Sequence, residues 1–498
     1  MANNRNSYGS ILKSIGLFGG VQVFNILVGI VKNKFVAILL GPSGMGVVGM
    51  ITSATNLVET FTGFGLRTSA TRNIANATSS NDDYRIGRVL AIIRRLVILT
   101  GLLGTVVVFL LAKQLSIWSF GNEAYTTAFQ IVSVTAFLNQ ICIGQTTLMQ
   151  GTFHYKLMAK SSLWGSVIGL VISVPLYYLW GEKAIVPVIV ISSVTSLLLS
   201  TFYSKKISYQ RVKVNNQEVW KEGKGILELG LAIALTGAAG IGATYIVRAF
   251  ISNTGSIADV GLYSAGIALC TMYVNTILNA MSSDYSPRLA SMSNDRIAFI
   301  ETINRQLKLM VTIMVPMIIL FIIVIRELTI LLYSEKFLPV TTMIEWMMAG
   351  MLFRATSWCM SFAQVARGDS KIFFWNELIA SIYSIVFSIV GFYYLRFDGL
   401  GIAFLLNYLT YSIQMYILSH RRFQYRISRD TLSVIAQNIA VLVVVFLTMR
   451  LLKYTIWRYV VGLVLMIGAL WLAYYNMNKM IPVKDSVRSI LNRFKNNK

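Results

Sequence analysis

Runs of apolar residues long enough to cross a bilayer as a helix, about 20 residues each, recur along nearly the whole chain and are separated by short polar breaks. They fall at 11–40, 47–75, 89–111, 126–152, 161–179, 184–203, 225–251, 260–292, 306–325, 340–366, 373–395, 400–418, 432–449 and 459–477, which predicts about 14 transmembrane helices. No interval between them is long and polar enough for a soluble domain, so the pattern predicts an all-α polytopic membrane protein. A weakly basic lead, Arg5 and Lys13, precedes the first run. That run continues to residue 40 without a small-residue cleavage site, which marks a retained helix rather than a signal peptide.

Sliding the chain along itself by about 215 residues exposes a duplication. LSIWSFGNEAY from Leu115 corresponds to LTILLYSEKF from Leu328, and SKK from Ser204 to SHRR from Ser419. Tyr177, Tyr178 and Leu179 correspond to Tyr393, Tyr394 and Leu395. Non-apolar marks keep the register: Lys34 with Arg248, Gly46 with Gly261, Arg72 with Arg288, Asn139 with Arg354, and Lys156 with Lys371. The expected organisation is a six-helix half at 1–208, a cytoplasmic linker at 209–224, a second six-helix half at 225–424, and two extra helices with a basic cytoplasmic tail at 425–498. Six is even, so both halves keep one orientation. They are then related by a pseudo-two-fold axis along the membrane normal, with a site between them near mid-bilayer.

Composition fixes the orientation. Only 13% of the 498 residues are charged, against roughly 25% in an ordinary soluble domain. The net charge of +24 is concentrated: 31 of the 44 Lys and Arg residues fall on the side of the N-terminus and eight on the other. This is the positive-inside signature, with both termini cytoplasmic. The surplus therefore reports orientation and contact with anionic membrane lipids, and no nucleic-acid partner is expected. Cys142, Cys270 and Cys359 all fall inside spans and lack CxxC spacing, so neither a disulfide framework nor a metal site is expected.

Five basic residues lie within spans: Lys32, Lys34, Arg67, Arg248 and Arg354. A charge at the centre of a membrane helix costs about 2.5 to 3.5 kcal/mol on insertion scales, so such residues face a partner or a watery cavity unless they reach an interface. Lys34 is close enough to its helix end to snorkel. Lys32 lies about 200° around the helix from Lys34, so the two cannot face one cavity. Arg248 is in register with Lys34 and is read as a cavity residue, as is Arg354, whose repeat mate Asn139 is also polar and also within a helix. Arg67 belongs either to the cavity or to the cytoplasmic end with Arg72. The intramembrane acids are Glu59, Asp284, Glu345 and Glu377. Asp284 precedes Arg288 by four residues, the spacing of a helix-face ion pair, and is otherwise a coupling group. Glu59 is either a counter-ion or a proton site.

A cavity with more cations than anions favours an anionic ligand, and the planar fork of arginine suits phosphate. The polar stretches TSATNLVETFTGFG and LNQICIGQTTLMQGT suit sugars, although small and hydroxylated residues also serve as helix-packing contacts.

The chain resembles the Wzx-type lipid-linked oligosaccharide (O-antigen) flippases of the multidrug/oligosaccharidyl-lipid/polysaccharide exporter superfamily. NKFVAILLGPSGMGVVG, FGNEAY, YIVRAFIS, LLYSEKF and FRATSWCMSFAQVARGDSK carry the likeness, over roughly the first twelve helices. The resemblance implies a MATE-like fold and a substrate-binding set of Lys34, Arg248 and Arg354; the reading of the intramembrane charges adds Arg67 and Asn139 beside it, Arg72 and Arg288 near the cytoplasmic mouth, and Glu59 and Asp284 as coupling or counter-ion groups. The implied substrate is an oligosaccharide on undecaprenyl pyrophosphate, moved between leaflets of the bacterial inner membrane by alternating access. Polysaccharide polymerase and chain-length proteins are the implied partners. No cofactor is expected, and a coupling ion or proton is left open. The extra helix pair departs from twelve-helix members and is similar to lipid II flippases, which keeps a lipid-linked muropeptide as an alternative substrate.

A multidrug or cation exporter of the same fold is the nearest rival, and would rely on cavity acids. A membrane enzyme of lipid-linked sugars would want an acid/base group on the outer face, whereas both His154 and His420 are placed on the cytoplasmic side. No GxxxxGK[ST] motif supplies a nucleotide engine. A passive scaffold would leave five intramembrane cations unexplained.

Overall fold

The computed structural model describes residues 2–480 except positions 81, 211, 368 and 454, with backbone alone at 2–19, 232, 283, 370 and 371. The basic tail at 481–498 lies outside the described residues, as do the side chains of Arg5, Lys13 and Lys371. The described residues are helices joined by short turns and loops and contain no strand. In order the helices are α1 (Ala2–Leu39), α2 (Gly41–Thr62), α3 (Leu66–Ser79), α4 (Asp83–Leu110), α5 (Ala112–Phe120), α6 (Thr126–Gly151), α7 (Tyr155–Trp180) and α8 (Ile185–Ser204). They continue with α9 (Asn216–Thr254), α10 (Ile257–Ser291), α11 (Arg296–Leu332), α12 (Thr341–Ala366), α13 (Ser370–Phe423), α14 (Arg429–Leu452) and α15 (Ile456–Met480).

Among the described residues, ten helical stretches are long and apolar enough to cross a membrane. Two of these, Tyr155–Ser204 and Ile372–Phe423, hold 50 and 52 residues, far more than the roughly 20 of one crossing. Each contains a break, at Gly181 (φ 55°) and Arg396 (φ 51°). α2, α3 and α12 are not among the ten, α3 being only 14 residues long, so this criterion does not return the count of fourteen. Large apolar side chains stand exposed along outward faces, for example Leu99, Leu102 and Val106 on α4 and Leu463, Val464, Ile467 and Trp471 on α15. Stripes of this size belong against lipid. The protein is a multi-pass membrane protein.

The second predicted span is not one helix. It breaks at Gly63–Phe64–Gly65, where Phe64 and Gly65 take φ of 48° and 56°. The break is seated on α9: a Cβ on Gly65 would meet the Gly230 carbonyl oxygen at 2.1 Å, and one on Gly230 would meet the Phe64 oxygen at 2.1 Å. Glycine is the residue that permits both the left-handed turn and the approach.

Two compact units divide the chain. One comprises Met1–Ser264 with Leu332–Lys336, the other Ala265–Leu331 with Phe337–Lys498. The division falls inside α10 rather than in the 209–224 linker, because α9 packs on α2, α3, α4 and α5. Duplication describes ancestry of sequence, whereas the units describe contact, and the two divisions need not coincide. In the second unit α12 packs along α13, and α14 joins α15 and α12.

The symmetry of the repeat is visible inside the first unit. A Cβ on Gly46 would meet the Ile257 carbonyl oxygen at 1.9 Å, and one on Gly261 would meet the Pro42 oxygen at 1.9 Å. Positions 42 and 257 are themselves repeat mates. The contact between the start of α2 and the start of α10 is thus reciprocal, as a two-fold interface requires.

Candidate functional site

Arg248, in the last third of α9, points at α2. Its Nη1 donates to the Gly49 carbonyl at 3.3 Å and makes a short hydrogen bond to the Ser53 hydroxyl. Its Nε is buried and has no partner among the described residues. Both partners are neutral, so the guanidinium charge is held in place but not cancelled. Lys34, its repeat mate, is half-buried on α1, as is Lys32.

Glu59 sits one turn before the α2–α3 break and accepts from the Asn139 Nδ2 of α6, at 3.2 and 3.4 Å for its two oxygens. In the second unit, the Arg354 Nη2 of α12 donates to the Asn275 Oδ1 of α10 at 2.7 Å, and its guanidinium carbon lies 5.6 Å from the Tyr408 ring centre. Glu59 and Asn275 are 216 positions apart, Asn139 and Arg354 are 215 apart. Each repeat therefore carries one polar bridge between its second and fourth spans, acidic in one and basic in the other.

Of the remaining sequence candidates, Arg67 and Arg72 are exposed on α3. Asp284 and Arg288 are exposed and form an ion pair one helical turn apart on α10. Glu377 accepts from the Tyr411 hydroxyl within α13. His154 begins α7 with Nδ1 2.9 Å from the Thr152 hydroxyl, and His420 lies in the last turn of α13 with Nδ1 2.9 Å from the Tyr425 carbonyl.

One placement is refined. Arg458 is among the eight basic residues that the sequence puts outside the spans on the side opposite the termini, and it is 1% exposed in the first turn of α15. Its Nη2 bonds the Glu345 carboxylate at 2.7 Å, and its other nitrogens reach the Ile323 and Met449 carbonyls at 3.4 and 3.2 Å. Glu345 of α12 is 3% exposed. The acid read from the sequence as intramembrane thus has its cation on the appended helix pair. Hydropathy places Arg458 at a helix end and says nothing of which way it turns. Asn275 was also missed, although the repeat offset applied to Glu59 leads to it; Ser53 and Gly49 carry no sequence signal of their own.

An all-helical, multi-pass membrane protein with the Arg248 guanidinium held by neutral groups inside a span is the class that fold and side chains define. The chain belongs to the polysaccharide biosynthesis protein family, whose model matches residues 35–342. No curated protein matches it in sequence. Among solved structures it is similar to an inward-facing multidrug resistance MATE family transporter of the MOP superfamily, with a TM-score of 0.70 at 14% identity over 80% of this chain and 94% of that one. It is similar to the lipid II flippase MurJ in an inward closed conformation, with a TM-score of 0.64 at 15% identity over 93% of this chain and 99% of the other. A MOP superfamily transporter from Pyrococcus furiosus, described as having a binding pocket of reversed polarity, gives 0.58 at 13% identity, covering 83% and 96%. The fold is that of these MOP superfamily membrane transporters.

Proposed function

We propose that the protein is a flippase that carries an oligosaccharide on undecaprenyl pyrophosphate from the cytoplasmic to the outer leaflet of the bacterial inner membrane by alternating access, with both termini in the cytoplasm. The observation that carries this reading is Arg248, fixed inside a span by hydrogen bonds to a carbonyl and a hydroxyl, with no carboxylate bonded to it among the described residues. A cation positioned without neutralisation in a low-dielectric setting is an anion receptor, and a guanidinium matches a phosphoryl oxygen pair. Lys34, at the repeat-related position, and Arg354 are the other candidate contacts to the pyrophosphate, and Asn139 and Arg67 to the sugars. Shielding the headgroup in this way avoids drawing a charged, hydrated group through hydrocarbon. Polysaccharide polymerase and chain-length proteins would receive the product.

A second substrate, the lipid-linked muropeptide, draws support from α14 and α15. These helices are tied into the second unit by the buried Glu345–Arg458 pair, and the matched lipid II flippase is covered almost end to end.

The test is leaflet transfer of labelled undecaprenyl-pyrophosphate oligosaccharide in liposomes that hold the purified protein, beside Arg248→Ala and Arg248→Lys. Transfer that falls at least tenfold in Arg248→Ala and is partly kept in Arg248→Lys is the expected result. Normal transfer by a folded Arg248→Ala protein overturns the site. Transfer of lipid II alone selects the second substrate.

A further inference from the structure

Two adjoining cavities on the first unit have no place in the transport reading. One, of about 340 Å³, is lined by Arg94 of α4, Gln145 of α6, Thr201 and Ser204 at the end of α8, and Lys205 and Tyr209 just beyond it. Among the described residues no carboxylate lines it. The Ser204 hydroxyl donates to the Gln145 Oε1 at 2.6 Å, which fixes part of the wall. The other cavity, of about 160 Å³, shares Arg94, Gln145, Leu148 and Tyr209 and is otherwise mainly apolar, with Ile93, Val97, Ile98, Ile141 and Gly144.

The order of these features along the helices matters. Arg94, Ile98, Leu102 and Val106 are spaced by four, so they form one stripe on α4; all four are exposed. The stripe has its cation near the start of the apolar run 89–111 and its branched apolar side chains further along that run, in the C-terminal half of α4. Ile141 stands about one turn deeper than Gln145 on α6, so the apolar cavity extends in the same direction. A basic, hydroxyl-lined mouth that passes into an apolar groove on an outward helix face has the polarity profile of one leaflet of a bilayer.

We propose that this is a binding site for an anionic phospholipid. Arg94 and Lys205 would face the phosphate, the Thr201 and Ser204 hydroxyls the remaining headgroup oxygens, and an acyl chain would follow Ile98 and Ile141 into the apolar cavity. Phosphate is the shared chemistry of such a lipid and of a free anion. The apolar cavity is what argues for the lipid: a free anion has no use for an apolar extension lined by Val97, Ile98 and Gly144. The site uses none of Lys34, Glu59, Arg248 or Arg354, so it stands whether or not the flippase reading does.

Native mass spectrometry of the full chain, titrated with phosphatidylglycerol, phosphatidylcholine or inorganic phosphate, tests the proposal. Phosphatidylglycerol is expected to bind well above phosphatidylcholine. The double variant Arg94→Gln/Lys205→Gln should lose roughly thirtyfold, the size expected for two basic residues at a charged membrane surface. The control Lys156→Gln/Lys160→Gln, which removes two exposed charges from the start of α7, should keep the preference. Ile98→Trp, which blocks the groove from its exposed rim, should weaken phosphatidylglycerol about as much as the double variant does. All four substituted basic residues are exposed, so folding is expected to survive and is checked by thermal melting. Unchanged phosphatidylglycerol binding in Arg94→Gln/Lys205→Gln overturns the site. Binding of inorganic phosphate that matches the lipid, with no effect of Ile98→Trp, overturns the lipid as its occupant.

Discussion

The bridges Glu59–Asn139 and Asn275–Arg354 occupy equivalent places in the two repeats, yet one centres on an acid and the other on a base. In each, an amide supplies the neutral half. The duplicated scaffold has kept a polar contact between second and fourth spans while the charge at that contact has diverged. Such a contact is worth about 0.6 to 2 kcal/mol to helix association in membranes whatever its sign. Under the flippase reading the sign is free to be used for chemistry, a cation or proton at Glu59 and an anion at Arg354. A third polar contact sharpens the point. Glu345 is matched in the first repeat by uncharged Gln130, and the acid occurs only in the repeat that has α15 to bring it Arg458.

That contrast predicts the largest effect. Arg458→Ala should leave a buried, uncompensated carboxylate and cost about 3 to 5 kcal/mol, whereas Glu345→Gln/Arg458→Met should recover most of it. Thermal or denaturant unfolding in detergent measures both. A loss below about 1 kcal/mol for Arg458→Ala would mean that the pair does not hold α15 to the second unit.

Next in size are Gly46→Ala and Gly261→Ala. Either Cβ would land 1.9 Å from a backbone oxygen that cannot rotate away, so each should cost about 1 to 3 kcal/mol by overpacking. The reciprocal geometry further predicts that the two losses are similar and that the double variant costs less than their sum, because one separation of α2 from α10 relieves both. Strict additivity in melting experiments would argue against one shared contact.

The two bridges themselves separate by function rather than by stability. Arg354→Gln and Glu59→Gln each keep a hydrogen-bonding group, so unfolding should change by less than about 1 kcal/mol in either. Under the flippase reading, Arg354→Gln should weaken transfer of the anionic substrate about tenfold at any imposed ion gradient. Glu59→Gln should leave transfer down a substrate gradient intact and abolish its response to an imposed proton or sodium gradient. The reverse pattern would favour a cation exporter.

Much of this was legible in the sequence, and the reason differs by feature. Helix positions follow from apolar runs because a bilayer leaves the backbone few ways to satisfy its hydrogen bonds. The equivalence of the Glu59–Asn139 and Asn275–Arg354 contacts was within reach of the sequence because Asn139 and Arg354 stay in register. The break at Gly63–Gly65 was hidden by its own apolar neighbours; hydropathy averages over a turn that backbone torsions alone reveal. The burial of Arg458 was not legible because its position at a helix end fits a loop equally well, and only the packing of α15 against α12 turns it inward. Arg248 could be named as a cavity residue, but its anchors could not, since a carbonyl at Gly49 and a hydroxyl at Ser53 look like any others on a helix.

The smallest effect belongs to the charge pair that is compensated and exposed. Asp284 and Arg288 sit one turn apart on α10 with both side chains more than half exposed, so water screens them and Asp284→Asn should cost no more than about 0.5 kcal/mol. Its neighbour Arg288 is then no longer neutralised. If Arg288 serves at the cytoplasmic mouth, the substitution should raise initial capture of an anionic substrate slightly, by less than threefold, and only at low salt, where the Debye length is long. A transfer rate that instead collapses in Asp284→Asn would make this acid a coupling group. The contrast between the repeats would then have to be redrawn, with an acid at work in each.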